Sequence, residues 1–289
     1  MAASPKERTI TSSVSEPGDN LLAQLLAQPH RVILVGVLNV TPDSFSDGGR
    51  FLDPQSAVAH ARRLIAEGAD ILDIGAESTR PYGNAVAVPL EKERARLAPV
   101  LPAAIALGVP VSIDTLKAPI AAWALDQGAA IVNDVWGLQG DPAMAAVVAE
   151  HRVPVIIMHN RKTADPALDI ISDVTAFFRR SLDIAARAGI ARERIVLDPG
   201  IGFGKTPEQS ITCIARLGAW REFGLPLLVG ASRKRFINSV APSDPTERIG
   251  GSLAAHLLAV ENGARLIRAH DVGPTAQALA VAAAIRRAQ

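Results

Sequence analysis

The chain has 289 residues, with thirty basic and twenty-nine acidic side chains and a formal net charge of +1, so no whole-molecule field suits a nucleic acid or a membrane surface. Apolar residues make up 48% with few aromatics, and a single cysteine excludes an intramolecular disulfide and suits a reducing cytoplasm. The longest apolar run, LAPVLPAAIALGVPVSI, holds three prolines and a glycine, which fits a helix end followed by a strand, not a membrane span.

Residues 1–30 lack the apolar stretch of a secretory signal and read as an extension, a loose polar tail leading into a short helix. Residues 31–289 read as one domain. Strand RVILVGVLNV comes first and runs into NVTPDSFSDGGRF, Asn39 to Phe51, a long polar, glycine-rich segment. After it a helical stretch, SAVAHARRLIAEGA, leads to EGADILDIGAES from Glu67. The same form recurs as QGAAIVNDVWG from Gln127 and NGARLIRAHDV from Asn262. A second form, a Val/Leu-Pro step into a short β-rich run, occurs as ALGVPVSIDT from Ala106, EHRVPVIIMH from Glu150 and FGLPLLVGAS from Phe223. With IVLDPGIGFG at Ile195 the count is eight strands, each followed by a helical stretch such as TAFFRRSLDIAARAG. Uninterrupted βα alternation implies a parallel sheet, and eight units is the number that closes into a (β/α)8 TIM barrel, an α/β fold. A doubly wound open sheet is the alternative, but its first strand should run through a glycine-rich turn directly into a helix, and here NVTPDSFSDGGRF intervenes.

In such a barrel the chemistry sits at the C-terminal strand ends. In order these offer Asn39, Glu77 to Arg80, Asp114, Asn133 with Asp134, Met158 with His159, Asp198, Ser232 to Lys234 and Arg268 to Asp271. Any one carboxylate there can simply cap the next helix, as expected for Asp134 and Asp271. Capping does not require Lys234, Arg268 and His270 on the same rim as Asp114 and Asp198. Carboxylates with an amide suit a flat heterocycle bearing N–H donors; a lysine, arginines and a histidine suit phosphate. Without an HExxH or Cys/His cluster, a metal would be Mg²⁺, held mainly by substrate phosphates and water. No Ser/His/Asp or Cys/His pairing suggests covalent catalysis.

NVTPDSFSDGG, ESTRP, SIDT, the ND at Asn133, the MH at Met158, DPGIGFGKT, GASRKRFI and RAHDV, in this order from about Val35 to Asp271, resemble the dihydropteroate synthase family. That resemblance implies a TIM barrel, usually a homodimer, that joins 6-hydroxymethyl-7,8-dihydropterin diphosphate to 4-aminobenzoate and releases pyrophosphate with Mg²⁺. It implies a pterin pocket of Asp114, Asn133, Met158, Asp198 and Lys234, and a diphosphate site of Asn39, Arg268 and His270, with Asn39 also the protein ligand to the metal. Pro42, Phe45, Thr79, Arg80 and Ser232 would frame the aminobenzoate. Asp47, Arg80, Lys234, Arg268 and His270 are the residues expected to act on the reacting groups, Asp47 by steadying a cation or accepting a proton. NVTPDSFSDGGRF, with hinges at Gly48 and Gly49, and ESTRPYGNAVAV would cover the site. Arg268→Ala is expected to weaken catalysis far more than folding.

Outside that set, Cys213 is read as core beside Ile211, Ile214 and Leu217, His159 as a core or rim histidine, and Lys205 as solvated. Arg233 and Arg235 are read as surface or diphosphate-approach charges, and Trp123, Trp136 and Trp220 as packing residues. Ala76 and Tyr82 depart from the family pattern in the second loop, and NRKTADP does so after Met158. Two rivals share the fold: a pterin-binding methyltransferase domain serving a corrinoid, which should lack the SRK, RAH and TPDSFSDGG set together, and a non-catalytic pterin-binding paralogue.

Overall fold

Among the described residues, eight strands pair in chain order, all parallel, and the last returns to the first to close a barrel. They are β1 Ile33–Asn39, β2 Ile71–Gly75, β3 Val111–Asp114, β4 Ile131–Asp134, β5 Val155–Met158, β6 Ile195–Asp198, β7 Leu227–Val229 and β8 Ala264–Ala269. The computed structural model describes residues 21–28, 31–41, 53–77 and 88–288. The segments 42–52 and 78–87, and with them Pro42, Phe45, Asp47, Gly48, Gly49, Thr79, Arg80 and Tyr82, lie outside the described residues.

The strands are short apolar runs because helices cover their outer faces while side chains fill the inside. The helices are set by recognisable end signals. Asp53 accepts from the backbone N–H groups of Gln55 and Ser56 to start Pro54–Ala66, which buries Ala57, Ala61 and Leu64 at helical spacing. Thr206 and Gln209 form a reciprocal capping box on Pro207–Ala215. The long helix Ile170–Ala188 starts at Asp169 and ends on Gly189 in the left-handed conformation. On Pro207–Ala215, Cys213 and Ile214 face the core as expected, but Ile211 is 40% exposed. Its position two residues before Cys213 turns it by about 200° to the outer face, since helical residues two apart do not share a side.

Inside the barrel, the pleat decides what the site is made of. Ile33, Ile71, Ile131, Ile156, Val196 and Leu266 form a buried apolar layer across the lower interior. The short helix Leu21–Leu26 packs Leu21, Leu25 and Leu26 against this layer from below. Arg265 fastens it by donating to the carbonyls of Leu26 and Gln28 at 3.2 and 3.1 Å. Side chains two residues apart on a strand share a face. One step towards the C-terminal ends, β2, β4, β5, β6 and β8 therefore present Asp73, Asn133, Met158, Asp198 and Arg268 to the interior, while β1 continues with the apolar Val35. The switch from isoleucine to polar residues between adjacent layers is what puts a polar cleft on an apolar floor.

Candidate active site

That upper layer opens into a cleft at the C-terminal end of the barrel, lined by Asp114, Asn133, Met158, Asp198, Lys234 and Arg268, with Val135, Ile201 and Phe203 as its apolar wall. All five residues expected in a ring-binding pocket are here, together with Arg268. Ammonium Nζ of Lys234 sits 4.0 Å from the centroid of the Phe203 ring, a cation–π contact that holds the charge at the cleft wall.

The polar groups are unevenly satisfied. Arg268 donates from Nε to Asp73 at 2.6 Å and from Nη2 to Asp114 at 2.7 Å. Asn133 donates from Nδ2 to Asp73 at 3.1 Å, and Asp198 accepts from the Gly200 N–H at 2.7 Å. Yet Asp114 Oδ1 and Asn133 Oδ1 are buried acceptors without a hydrogen-bond partner. Burial pushes the Asp114 carboxyl up to about 7, with Arg268 pulling the other way and Asp73 adding to the rise. Asp198 is pushed up to about 6 by burial, opposed by the Gly200 N–H and by Lys234. Burial alone would lower the Arg268 guanidinium, but Asp73 and Asp114 hold it above its ordinary range.

At the rim, Ser232 is buried, and its hydroxyl lies 3.2 Å from the His270 backbone N and 3.1 Å from His270 Nδ1. The next pair repeats the zip: Arg233 donates to Asp271 from Nε and Nη2 at 2.9 and 2.5 Å. Asp271 therefore does not cap the helix Val272–Arg287 with its side chain, contrary to expectation; the carboxylate is held by Arg233 instead. Arg233 is accordingly a tie between the β7 and β8 ends, not a free surface charge. Asn39 is half-buried as the last residue of β1. Asp134 behaves as a turn cap, accepting from the N–H groups of Trp136 and Leu138 at 2.9 and 2.7 Å.

Lys205 overturns its sequence reading. It is 2% exposed, not solvated, with Nζ 2.6 Å from His159 Nδ1 and donating to the carbonyls of Gly200 and Phe203 at 3.0 and 3.2 Å. His159 Nε2 lies 3.0 Å from Asp173. Burial, with Lys205 alongside, lowers His159 to about 4, and burial lowers Lys205 to about 8. This cluster braces the 198–206 turn, which carries Asp198, Ile201 and Phe203 into the cleft. Of the three tryptophans, Trp220 is fully buried, with Nε1 donating to Thr175 at 3.1 Å.

Two groups escaped the sequence reading. Asp73 sits in the middle of ILDIG, and a lone carboxylate on an otherwise apolar strand was the available signal. Glu93, fully buried on Leu90–Leu97, accepts from Thr115 at 2.7 Å and from Lys117 at 2.6 Å; Lys117 also pairs with Glu77, whose carboxylate accepts from the Val88 N–H at 2.9 Å. This network joins the two ends of the 78–87 connection to β3, and nothing in LEKERARL sets Glu93 apart from its charged neighbours.

Residues 35–270 match the family model described as pterin binding enzyme. The chain is 43% identical over 248 residues to the dihydropteroate synthase of Bacillus subtilis (strain 168), covering 86% of each chain. The chain belongs to the dihydropteroate synthase family. Among solved structures, the Clostridium difficile dihydropteroate synthase crystallised in the presence of pteroic acid superposes with a TM-score of 0.85 at 42% identity, over 89% of this chain and 97% of that one. The Xanthomonas albilineans dihydropteroate synthase with 4-aminobenzoic acid gives 0.84 at 44% identity, over 89% and 93%. These matches decide between the synthases and the corrinoid methyltransferases that share the pterin-binding fold. Within the dihydropteroate synthase barrel, Ala76 is fully buried behind β2, so its departure from the family pattern adds a methyl group to packed structure.

Proposed function

We propose that this chain condenses 6-hydroxymethyl-7,8-dihydropterin diphosphate with 4-aminobenzoate to give 7,8-dihydropteroate and pyrophosphate, the synthase step of folate biosynthesis. The observation that carries the reading is the pair of partnerless buried acceptors, Asp114 Oδ1 and Asn133 Oδ1, beside the carboxylate of Asp198 in one narrow cleft. Buried acceptors without donors are costly, and the amino-pyrimidinone edge of a pterin supplies several N–H donors in one plane. Met158, Val135 and Phe203 would cover the faces of the ring, and Lys234 would donate to its carbonyl and N5 side.

The methylene–diphosphate bond breaks to leave a cation delocalised into an electron-rich ring, while negative charge grows on the leaving group. Arg268 and His270, at the β8 end, would face the charge growing on the leaving group, which is where a preorganised cation or hydrogen-bond donor lowers a barrier most. The attacking aniline nitrogen is neutral at pH 7, so no strong base is required. Pro42, Phe45, Thr79, Arg80 and Ser232 would hold the aminobenzoate, and Asp47 would steady the cation or take the proton, on the family resemblance. The segments 42–52 and 78–87, which carry all of these except Ser232, would exclude water from the cation.

Magnesium fits the donors at hand. Among the described residues no group of three or more His, Cys, Asp or Glu side chains could hold a metal, while Asn39 offers one neutral oxygen at the β1 end. One protein oxygen plus diphosphate and water is a donor set Mg²⁺ accepts. When bound it would neutralise charge on the leaving diphosphate. A homodimer is supported by Leu258, Val281 and Ile285, each more than half exposed on Ile249–Glu261 and Val272–Arg287, helices packed side by side. Among the described residues no helix is long and apolar enough to cross a membrane.

The test is pyrophosphate release with the purified protein. It should require aminobenzoate and Mg²⁺ together; release without aminobenzoate, or pterin binding without any turnover, would point to another reaction or to a binding protein.

A further inference from the structure

Asp73 has no assigned part in the chemistry, yet it is fully buried directly under the cleft and joins two of its walls. Its Oδ2 accepts from Nε of Arg268 on β8 and from Nδ2 of Asn133 on β4. An amide has one donor end and one acceptor end. With one N–H of its NH₂ held by Asp73, the Asn133 amide keeps its acceptor end, Oδ1, at the cleft without a partner. The same oxygen of Asp73 fixes the plane of the Arg268 guanidinium, whose Nη2 then reaches Asp114.

We infer that Asp73 is a positioning and specificity-determining residue: it sets which end of the Asn133 amide a ring ligand meets, and so makes that wall accept hydrogen bonds rather than donate them. The inference rests on the pterin reading above. Without Asp73 the Asn133 amide is free to turn its NH₂ towards the ligand, opposing a ring N–H with another N–H. A site built to pair a donor loses about 10- to 100-fold in affinity when one buried hydrogen-bonding group is left unmatched.

The test is an exchange. Asp73→Asn, Asn133→Asp and the double variant are compared for binding of 6-hydroxymethylpterin by fluorescence quenching, for KM of the pterin diphosphate and of aminobenzoate, and for thermal unfolding. Asn133→Asp sets two carboxylates face to face with no donor between them and should bind the pterin at least 10-fold more weakly. Asp73→Asn should also weaken it, with the aminobenzoate KM unmoved. In the double variant, the amide now at position 73 can donate to the carboxylate at position 133 and leave a carboxylate oxygen on the cleft. Pterin binding should then recover to within about 10-fold of the parent, better than either single change. A purely structural role for Asp73 predicts additive losses. Additive losses, or an exchange variant that fails to fold although it keeps the buried charge count, overturn the inference. A parent protein that does not bind the pterin at all would instead sink the functional reading, which separates the two failures.

Discussion

Nη2 of Arg268 lies 2.7 Å from Oδ2 of Asp114, and in this state the guanidinium is spent on carboxylates rather than extended towards the cleft mouth. With Asp73 on Nε, one guanidinium is shared between two buried carboxyls. Arg268→Ala therefore removes more than a phosphate contact. Stranding a buried charge costs about 3–5 kcal/mol, so the variant should lose stability of that order as well as about 100-fold or more in kcat/KM. The sequence alone suggests that catalysis would suffer far more than folding; the paired carboxylates change that expectation. Denaturant unfolding with steady-state kinetics on the same sample checks it, and a variant as stable as the parent would show that Asp73 and Asp114 do not depend on this cation.

Ligand binding should release protons. Asp114 is pushed up to about 7 and Asp198 to about 6, both primarily by burial. Ring N–H donors favour the ionised carboxylates, so the bound complex holds fewer protons between about pH 6 and 7, and affinity for the pterin should fall as pH drops through that window. For folding stability the sign is reversed. A carboxyl whose folded pKa is raised from 3.8 stabilises the fold fully below about pH 4, and that contribution falls away progressively as pH rises, until it is gone above pH 6 to 7. Calorimetric titration at pH 6.5 in two buffers of different ionisation enthalpy measures the protons directly, and no net release would mean that the carboxyls enter the complex already ionised.

How much of this was legible depends on which physical scale each residue answers to. The barrel could be read because strand runs, Val/Leu-Pro steps and helix-ending glycines recur in one unbroken strand–helix alternation, and the rim residues could be read because strand ends are where that fold exposes polar groups. Asp73 was missed because it lies mid-strand, below the rim; only the closed barrel shows that its pleat position is the layer of Asn133 and Arg268. Lys205 was misjudged because a lysine after three glycines resembles a solvated turn, and its burial depends on His159 and two carbonyls brought there by β5 and the turn itself. Ile211 shows the converse error, in which apolar identity was taken for burial on a helix whose inner face is set by Cys213 and Ile214.

Gly200→Ala should disable the pocket turn. Gly200 has φ of +66°, and a β-carbon there would lie 1.9 Å from the His159 carbonyl oxygen, a backbone atom that cannot step aside. Gly224 provides the control: φ is +60°, with nothing within 4 Å of the point a β-carbon would occupy. Gly224→Ala should cost only the left-handed strain, about 1 kcal/mol, whereas Gly200→Ala should cost roughly 3 kcal/mol or more and lower pterin affinity with it. Equal melting temperatures for the two variants would show that the 198–206 turn relaxes freely.

His256 should be a source of acid sensitivity. It is 1% exposed on Ile249–Glu261, and neither ring nitrogen has a hydrogen-bond partner. Burial lowers it to about 4, with Asp271 pulling weakly upward, from an unfolded value of 6.5. The folded state therefore refuses a proton that the unfolded chain accepts, so stability falls as pH drops from 6.5 towards 4 and the loss levels off below that. Integrated over the window this is about 3 kcal/mol for a group so deeply buried. His256→Leu, similar in volume and without polar atoms, should match or slightly exceed the parent in stability at pH 8, and its advantage should widen steadily down to pH 4. Taking the difference between the two proteins at each pH cancels the opposing contributions of Asp114 and Asp198, which both share. A gap that stays constant from pH 8 to pH 4 would place the acid sensitivity elsewhere, with His159 the next group to substitute.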